Sequence, residues 1–451
     1  MIGSFTGDVR RIGLIVKRVK IAVLLFFAAA MICGGCGGGD AKNEKIVLRF
    51  MRFSSPELNS VYDKIIADFE KEHPHIKIRQ ETTIRQAQLQ TQMAGNCAPD
   101  VIYIANKTLA DFGTRGTLVD LRPYIKRDGY DTDDFYPQAF AEGSVPSGEI
   151  YGMPATGGPE VLYYNKALFD KAGLAYPDAG WTWEDFLKAA KTLTKDRNGD
   201  GRIDQFGTST MASAWSVSLS WLWGAGADLM NDDLSKCVVN SPRSIAAMQF
   251  LVDLENRYKV AAGTSAIAEM GGSRDVFMYS RLGMFIYLPW NCLNQFAACK
   301  DLKWDMALVP RGPQGRYPCY TGESFTIWSG SKHREAAWEF VKFLCRKEAS
   351  ILFAERNWMP ARKSIATSAH FIKAGTPWHE EVYLESMKYA RAAPSIPYLG
   401  GGGGKLTGIW DTEIVKALLE EQTVAGALDR IEDQLNKVLA EEKARYKKNG
   451  R

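Results

Sequence analysis

The feature that most constrains this fold is an alternation of short apolar strands with amphipathic helices between residues 46 and 104. Residues 46–50 have the length and β-branching of a buried strand, and Ser55-Pro56 supplies an N-cap and a first-turn proline for a helix. The alternation continues with a strand over 76–79, a helix over 85–94 and a strand over 101–104. It predicts a parallel sheet covered by helices on both faces, whose ligands bind beyond the carboxyl ends of the strands. Arg52 and Phe53 follow the first strand, so we expect them to contact a ligand.

The rest of the chain is richer in helix. Periodicity predicts helices over 187–193, 215–223, 244–258, 274–279 and 337–344, with two more within 408–447. Strands are predicted over 283–288, 306–309 and 325–328. With 451 residues, 46% of them hydrophobic and 24% charged, the chain is expected to form two or three globular domains. This composition excludes wholesale disorder and a polytopic membrane protein.

The N-terminus differs from the remainder. Residues 1–35 carry five basic residues against Asp8, and an apolar run over 21–32 follows the basic part. Twelve apolar residues are too few to span a bilayer, so residues 1–35 are predicted to be a secretory signal. The run ends in small residues and Cys36, a pattern that resembles a bacterial lipobox with Cys36 as the acylated first residue of the mature protein. Cleavage at an ordinary signal-peptidase site is the alternative. Residues 36–44 are interpreted as the lipidated cysteine and a polar tether.

Charge argues against nucleic acid as a partner. The formal net charge of the whole chain is +4, and the predicted signal carries an excess of the same size, so the mature protein is near neutrality. Six cysteines remain after Cys36, without a CxxC pair. A disulfide between Cys292 and Cys299 is left open.

One segment is similar to a calcium-binding loop. Residues 196–204 place oxygen-bearing side chains at loop positions 1, 3, 5 and 9 and a glycine at position 6. Gly207 stands at position 12, where such loops carry a bidentate carboxylate. Two interpretations stay open: a structural calcium site, or an Asx-rich turn without an ion. No other cofactor is predicted. The candidate ligands are Asp196, Asn198, Asp200, Arg202 and Asp204.

Aromatic residues are the strongest pointer to a ligand. The chain has 12 Trp, 18 Tyr and 21 Phe, and several tryptophans stand near predicted element ends. Sugars present apolar C–H faces and polar rims, so aromatic platforms flanked by carboxylates and amides suit them. The tryptophans predicted to contact a sugar are Trp215, Trp290, Trp358 and Trp410.

Several short motifs, in order along the chain, resemble the extracellular solute-binding proteins of bacterial ABC importers, family 1, which includes maltose-binding proteins. They are Pro99-Asp100-Val101-Ile102, Tyr151-Gly152-Met153-Pro154, the run from Val161 to Phe169, Trp181-Thr182-Trp183-Glu184, Arg281-Leu282-Gly283-Met284, and the run from Ala336 to Leu344. The resemblance implies a periplasmic-binding-protein-like α/β fold of type II, with two lobes joined by crossovers near Pro154, Pro310 and Pro360. The expected lobes are 45–153 with 311–359, and 154–310 with 360–451.

The resemblance also implies site residues. By position, Asn106 and Lys107 fall in a loop that holds sugar hydroxyls in maltose-binding relatives, and Trp290 and Trp410 fall on stacking aromatics. Gly158 occupies the slot of the relatives' hinge carboxylate, and Glu160 is its nearest substitute.

The function so implied is capture of a sugar or oligosaccharide, without turnover, by a lipid-anchored monomer at the outer face of the membrane, and delivery to the permease subunits of an ABC importer. Two alternatives stay open. A secreted carbohydrate-active enzyme would use a pair of carboxylates, for which Glu160 and Glu323 are candidates. A two-lobed sensor would instead partner a membrane receptor.

Overall fold

The computed structural model describes residues 45–53, 56–83, 86–209, 212–263, 267, 269–288, 292–374, 376–400 and 404–448. The described residues from Ile46 onward form one compact unit. Its strands are β1 Ile46–Phe53, β2 Ile76–Thr83, β3 Val101–Ala105, β4 Met153–Pro159, β5 Val161–Asn165, β6 Thr208–Ser209, β7 Ala261–Ala262, β8 Met284–Tyr287, β9 Trp304–Ala307, β10 Cys319–Ile327 and β11 Arg391–Ala392.

The helices of the first part of the chain are α1 Pro56–Glu72, α2 Gln86–Ala94, α3 Leu109–Thr114, α4 Arg122–Asp128, α5 Pro137–Gly143, α6 Lys166–Ala172, α7 Trp183–Leu193, α8 Trp215–Gly224 and α9 Pro242–Asn256. Those that follow are α10 Ser273–Met278, α11 Cys292–Ala298, α12 Arg334–Leu344, α13 Lys347–Ala354, α14 Lys363–Ala366, α15 Glu381–Met387, α16 Lys405–Leu418 and α17 Val424–Lys448. A 3-10 turn, Asn106–Thr108, directly follows β3. Among the residues described, no helix combines the length and the apolar character needed to cross a bilayer.

The larger sheet has six strands in the order β11-β10-β3-β1-β2, with β4 paired to β10. The predicted parallel pairing is confirmed for β1 with β2 and with β3, whose connections contain helices. Strand β10 lies outside that prediction, and it runs antiparallel to both β3 and β4. The reason is that β10 returns from a distant part of the chain, so no βαβ crossover fixes its direction.

The smaller sheet has three antiparallel strands in the order β8-β5-β9. The chain passes from β4 of the larger sheet to β5 of the smaller one through the single residue Glu160, and it returns between β9 and β10. At the crossing, the backbone N–H of Glu160 donates to the carbonyl of Cys319, the first residue of β10, at 2.9 Å. Glu160 and its backbone hydrogen bond therefore link the two sheets at the crossing. The lobe boundaries given above stay a prediction.

The disulfide left open by the sequence is not formed, since Cys292 and Cys299 are both free thiols. Cys292 begins α11 and Cys299 directly follows its last residue. Seven residues of helix rise by about 10 Å, which exceeds the Cα separation that a disulfide spans. The thiol of Cys292 instead lies 3.4 Å from the carbonyl oxygen of Leu288.

Candidate functional site

Charged, hydroxyl and aromatic side chains from six elements meet at the carboxyl end of β3. Lys107 lies in the turn after β3, and Glu323 of β10 is in register with Ala105 of β3 and Thr156 of β4. The Nζ atom of Lys107 lies 6.0 Å from the ring centroid of Trp215, the first residue of α8. We call this set the strand-end cluster. Its members are Tyr103, Lys107, Glu142, Thr156, Trp215 and Glu323.

Hydrogen bonds orient the carboxylate of Glu323. The Thr156 hydroxyl donates to Oε2 of Glu323 at 3.1 Å, and the Tyr103 hydroxyl lies 2.9 Å from Thr156 Oγ1. Because Thr156 gives its single proton to Glu323, Tyr103 is the donor to Thr156. Burial raises the pKa of Glu323 to about 7, against the opposing effects of the Thr156 hydrogen bond and the Lys107 charge. This carboxyl group therefore exchanges its proton near neutral pH.

Glu142, in α5, is a second carboxyl group of the cluster. Its side chain is fully buried, and Oε2 accepts the backbone N–H of Gly322 at 2.7 Å. Burial raises the pKa of Glu142 well above its usual value, and the amide of Asn106 and the charge of Lys107 oppose that rise. Two carboxyl groups thus face one ammonium group beside an indole ring. Such a set offers hydrogen-bond donors, acceptors and an apolar face, the groups that a polyhydroxylated ligand needs.

Two predicted ligand contacts are buried and form hydrogen bonds within the protein. Asn106 is fully buried, and its amide nitrogen donates to the carbonyl of Ala139 at 3.4 Å. Arg52 is 5% exposed and donates to Gln80 at 2.8 Å and to Asn59 at 2.9 Å. Arg52 therefore joins β1 to β2 and α1, and Asn106 joins the turn after β3 to α5. Phe53 ends β1, but its side chain lies outside the described residues.

Glu160 belongs to a different network, which we call the crossover cluster: Glu160, Ser220 and Cys319. Oε2 of the fully buried Glu160 accepts hydrogen bonds from the Ser220 hydroxyl and from the backbone N–H of Cys319, the latter at 3.4 Å. Ser220 also accepts the Cys319 N–H at 2.9 Å. Burial raises the pKa of Glu160 to about 8, while these hydrogen bonds lower it. The carboxyl group thus binds the two sheet connections together and has no access to a ligand here.

The predicted tryptophans that the structure describes are buried or pack against a hydrophobic core. Trp215 is 3% exposed, and its indole N–H donates to Thr407 Oγ1 at 3.2 Å. Trp410 is fully buried and donates to the carbonyl of Ala212 at 2.9 Å, so it is a core residue without a free ring face in this structure. Trp358 packs against a hydrophobic core cluster that contains residues of both sheets. Trp290 and Cys36 lie outside the described residues.

The calcium-like loop is closed by its own backbone. Asp196 accepts the N–H groups of Gly199 at 2.7 Å and Gly201 at 2.8 Å, and Asp200 accepts that of Arg202 at 2.8 Å. Asn198 accepts the N–H of Asp200, and Asp204 that of Arg197. In the part of the chain that the structure describes, no group of three or more His, Cys, Asp or Glu side chains is placed to hold a metal ion. The geometry supports the Asx-turn interpretation, and calcium binding stays an untested prediction.

Sequence reasoning missed Tyr103, Glu142, Thr156 and Ser220. Thr156 and Tyr103 reach Glu323 only because β10 lies between β3 and β4. The alternating pattern of a strand predicts which face a side chain occupies, but not which strand lies beside it. Finding Tyr103 and Thr156 therefore required the order of the strands in the sheet, which the sequence pattern does not contain.

The chain is similar to known proteins in both sequence and structure. The family model described as bacterial extracellular solute-binding protein matches residues 54–351. An arabinooligosaccharide-binding protein of Bacillus subtilis is 25% identical over 354 residues, which cover 72% of this chain and 76% of the relative. An uncharacterized lipoprotein of Streptomyces antibioticus is 25% identical over 358 residues, covering 76% and 75%.

Among solved structures, the chain is similar to an ABC substrate-binding protein from Listeria monocytogenes in complex with cycloalternan. The identity is 29%, the TM-score is 0.76, and the match covers 88% of this chain and 99% of the other. The arrangement of the two sheets is thus the predicted type II periplasmic-binding-protein fold, an α/β fold with two lobes.

Proposed function

The chain belongs to the bacterial extracellular solute-binding protein family, and from that premise we propose that it captures a neutral sugar or oligosaccharide between its two lobes and delivers it to an ABC permease. The observation that carries this proposal is the approach of Lys107, from the larger-sheet half, to the ring of Trp215, which begins a helix on the smaller-sheet side. Polar groups and an indole ring from two halves of the chain then lie together in the strand-end cluster, as capture of a ligand between two lobes requires.

The identities of the relatives support the sugar assignment. The Bacillus subtilis relative is named for an arabinooligosaccharide, and the Listeria monocytogenes structure holds cycloalternan. The strand-end cluster suits such ligands because its carboxyl and hydroxyl groups can each donate or accept a hydrogen bond near neutral pH.

Binding without turnover is part of the proposal. Members of this family are binding proteins. The two carboxylates nominated for an enzyme lie in separate hydrogen-bond networks, and the Glu160 side chain is fully buried against Ser220 and Cys319. A paired acid and nucleophile must both reach the scissile bond, so this arrangement favours capture over hydrolysis.

The protein works outside the cytoplasm, as its family does. We further propose that Cys36 is acylated and anchors a monomer to the membrane, supported by the lipobox-like sequence and by the Streptomyces antibioticus relative that is named a lipoprotein. A sensor for a membrane receptor would use the same fold. Loss of sugar uptake when the gene is deleted would show that the protein serves transport.

Calorimetric titration tests the central proposal. The mature protein is titrated with arabino-, galacto-, malto- and gluco-oligosaccharides, and the reaction mixtures are then analysed for cleaved products. We expect heat from at least one neutral oligosaccharide and its recovery intact. A ligand at 100 times its Kd should also stabilise the fold by about 2.7 kcal/mol in thermal unfolding. Absence of heat across the panel, or release of shorter sugars, would contradict the proposal.

A further inference from the structure

The ring of Trp215 is fixed from the side of the smaller sheet. Trp215 is the first residue of α8, a helix whose residues are all buried. Its indole N–H donates to Thr407 in the first turns of α16, at 3.2 Å. With only 3% of the residue exposed, the ring has little freedom to turn. A ligand that stacks on this ring must therefore approach it from the side on which the Lys107 ammonium group lies.

The backbone beneath Lys107 is also fixed. Ser395 donates to the carbonyl of Asn106 at 3.1 Å and accepts the N–H of Ala110 at 3.0 Å, which ties the whole turn to the strand region around β11. The Thr108 hydroxyl closes the turn by donating to the carbonyl of Ala105 at 2.7 Å. The side chain of Lys107 is only partly buried. Its flexible four-carbon stem is therefore the part of this region that can move.

Two carboxyl groups lie near the ammonium group of Lys107. Its charge opposes the rise in the pKa of Glu142 and of Glu323, so it lies close enough to interact with both. At 6.0 Å from the Trp215 ring centroid, Nζ also lies at the outer limit of a cation–π contact. The ammonium group thus occupies the ring's approach from the larger-sheet half.

We propose that the Lys107 ammonium group is an internal competitor for the ring of Trp215, and that a sugar stacks on this ring only by displacing it. This inference rests on the proposed function. It differs from the expectation that Lys107 holds sugar hydroxyls, because a hydroxyl-binding lysine adds to affinity whereas a competing lysine subtracts from it. Lys107 would then favour ligands that bind the ring strongly enough to move the ammonium group, and disfavour small sugars that cover it weakly.

The test compares Lys107→Met, which keeps the length of the side chain and removes its charge, with Lys107→Arg, which keeps a cation that also binds rings. The probe is the neutral oligosaccharide that gives the largest heat with the unaltered protein. Since a cation–π contact contributes about 0.5–1 kcal/mol, Lys107→Met should lower Kd by about two- to fivefold. Lys107→Arg should stay within about twofold of the unaltered protein.

A double-mutant cycle with Trp215→Ala completes the experiment. In the Trp215→Ala background, Lys107→Met should no longer lower Kd, because the contested ring is gone. A Kd for Lys107→Met that is unchanged or higher would overturn the inference and assign Lys107 as an ordinary ligand contact. If the unaltered protein binds no sugar in the panel, it is the proposed function that fails.

Discussion

The strand-end cluster and the crossover cluster each contain a glutamate that the sequence nominated for the ligand site, the partly buried Glu323 and the fully buried Glu160, and the two differ in what surrounds them. Glu323 has a hydroxyl partner and an ammonium group near it, Thr156 and Lys107. Glu160 is enclosed by Ser220 and the backbone of Cys319, where two chain segments cross between the sheets. The role of each of these carboxyl groups is therefore set by the groups that surround it.

The α8 helix connects the two regions and gives the largest expected effect. Trp215 at its start faces Lys107, whereas Trp223 near its end donates to Asp228 at 2.9 Å and lies under Arg391. Both are nearly completely buried. Trp223→Ala should lower the free energy of unfolding by about 3–5 kcal/mol, and the folded fraction should still bind sugar.

Trp215→Ala is the matched change at the other end of the helix. We expect a loss of stability of the same order together with a loss of sugar affinity of tenfold or more, measured by urea unfolding and by calorimetry on the folded protein. Equal affinity in the two variants would remove Trp215 from the site.

The two glutamates should also differ in the pH range over which they affect stability. Both pKa values are raised in the folded state, from 4.5 to about 8 for Glu160 and to about 7 for Glu323. The folded protein then binds more protons than the unfolded chain, so their stabilising effect is complete below about pH 4.5 and is lost as the pH rises through the folded pKa. Stability should therefore fall between pH 5 and pH 8.

Urea unfolding at pH 5, 7 and 8 separates the two groups. In Glu160→Gln, the free energy of unfolding should fall less between pH 5 and pH 8. In Glu323→Gln, it should fall less only up to about pH 7. Each difference should be about 1–3 kcal/mol. Profiles for both variants that parallel that of the unaltered protein would show that neither carboxyl group takes up a proton on folding.

The exposed carboxylates of residues 196–204 should give the smallest effect. Because Asp196 and Asp200 already accept backbone N–H groups, we expect calcium added to chelator-treated protein to leave the melting temperature unchanged. The Asp196→Asn variant is the control, and calcium should leave its melting temperature unchanged as well. A rise in melting temperature with millimolar calcium that is lost in Asp196→Asn would restore the calcium-site interpretation.

Much of the secondary structure was predictable from local patterns. The strand at 46–50 and the helix from Pro56 appear as β1 and α1, and the two helices predicted within 408–447 appear as α16 and α17. The direction of β10 was not predictable, because the pairing partners of a strand are chosen by long-range contacts. For the same reason Trp410, which follows a glycine-rich segment, was expected at the ligand and lies in the core.

The amino-acid sequence by itself determined the alternating strands and helices and the family, and it predicts an export signal over residues 1–35, since each depends on residues that are neighbours in the chain. Only the tertiary structure decided which carboxyl groups are enclosed at the crossing and which face Lys107. Those assignments depend on strands β3, β4 and β10 lying side by side, and burial and hydrogen bonding, which set the behaviour of a carboxyl group, exist only after that packing has formed.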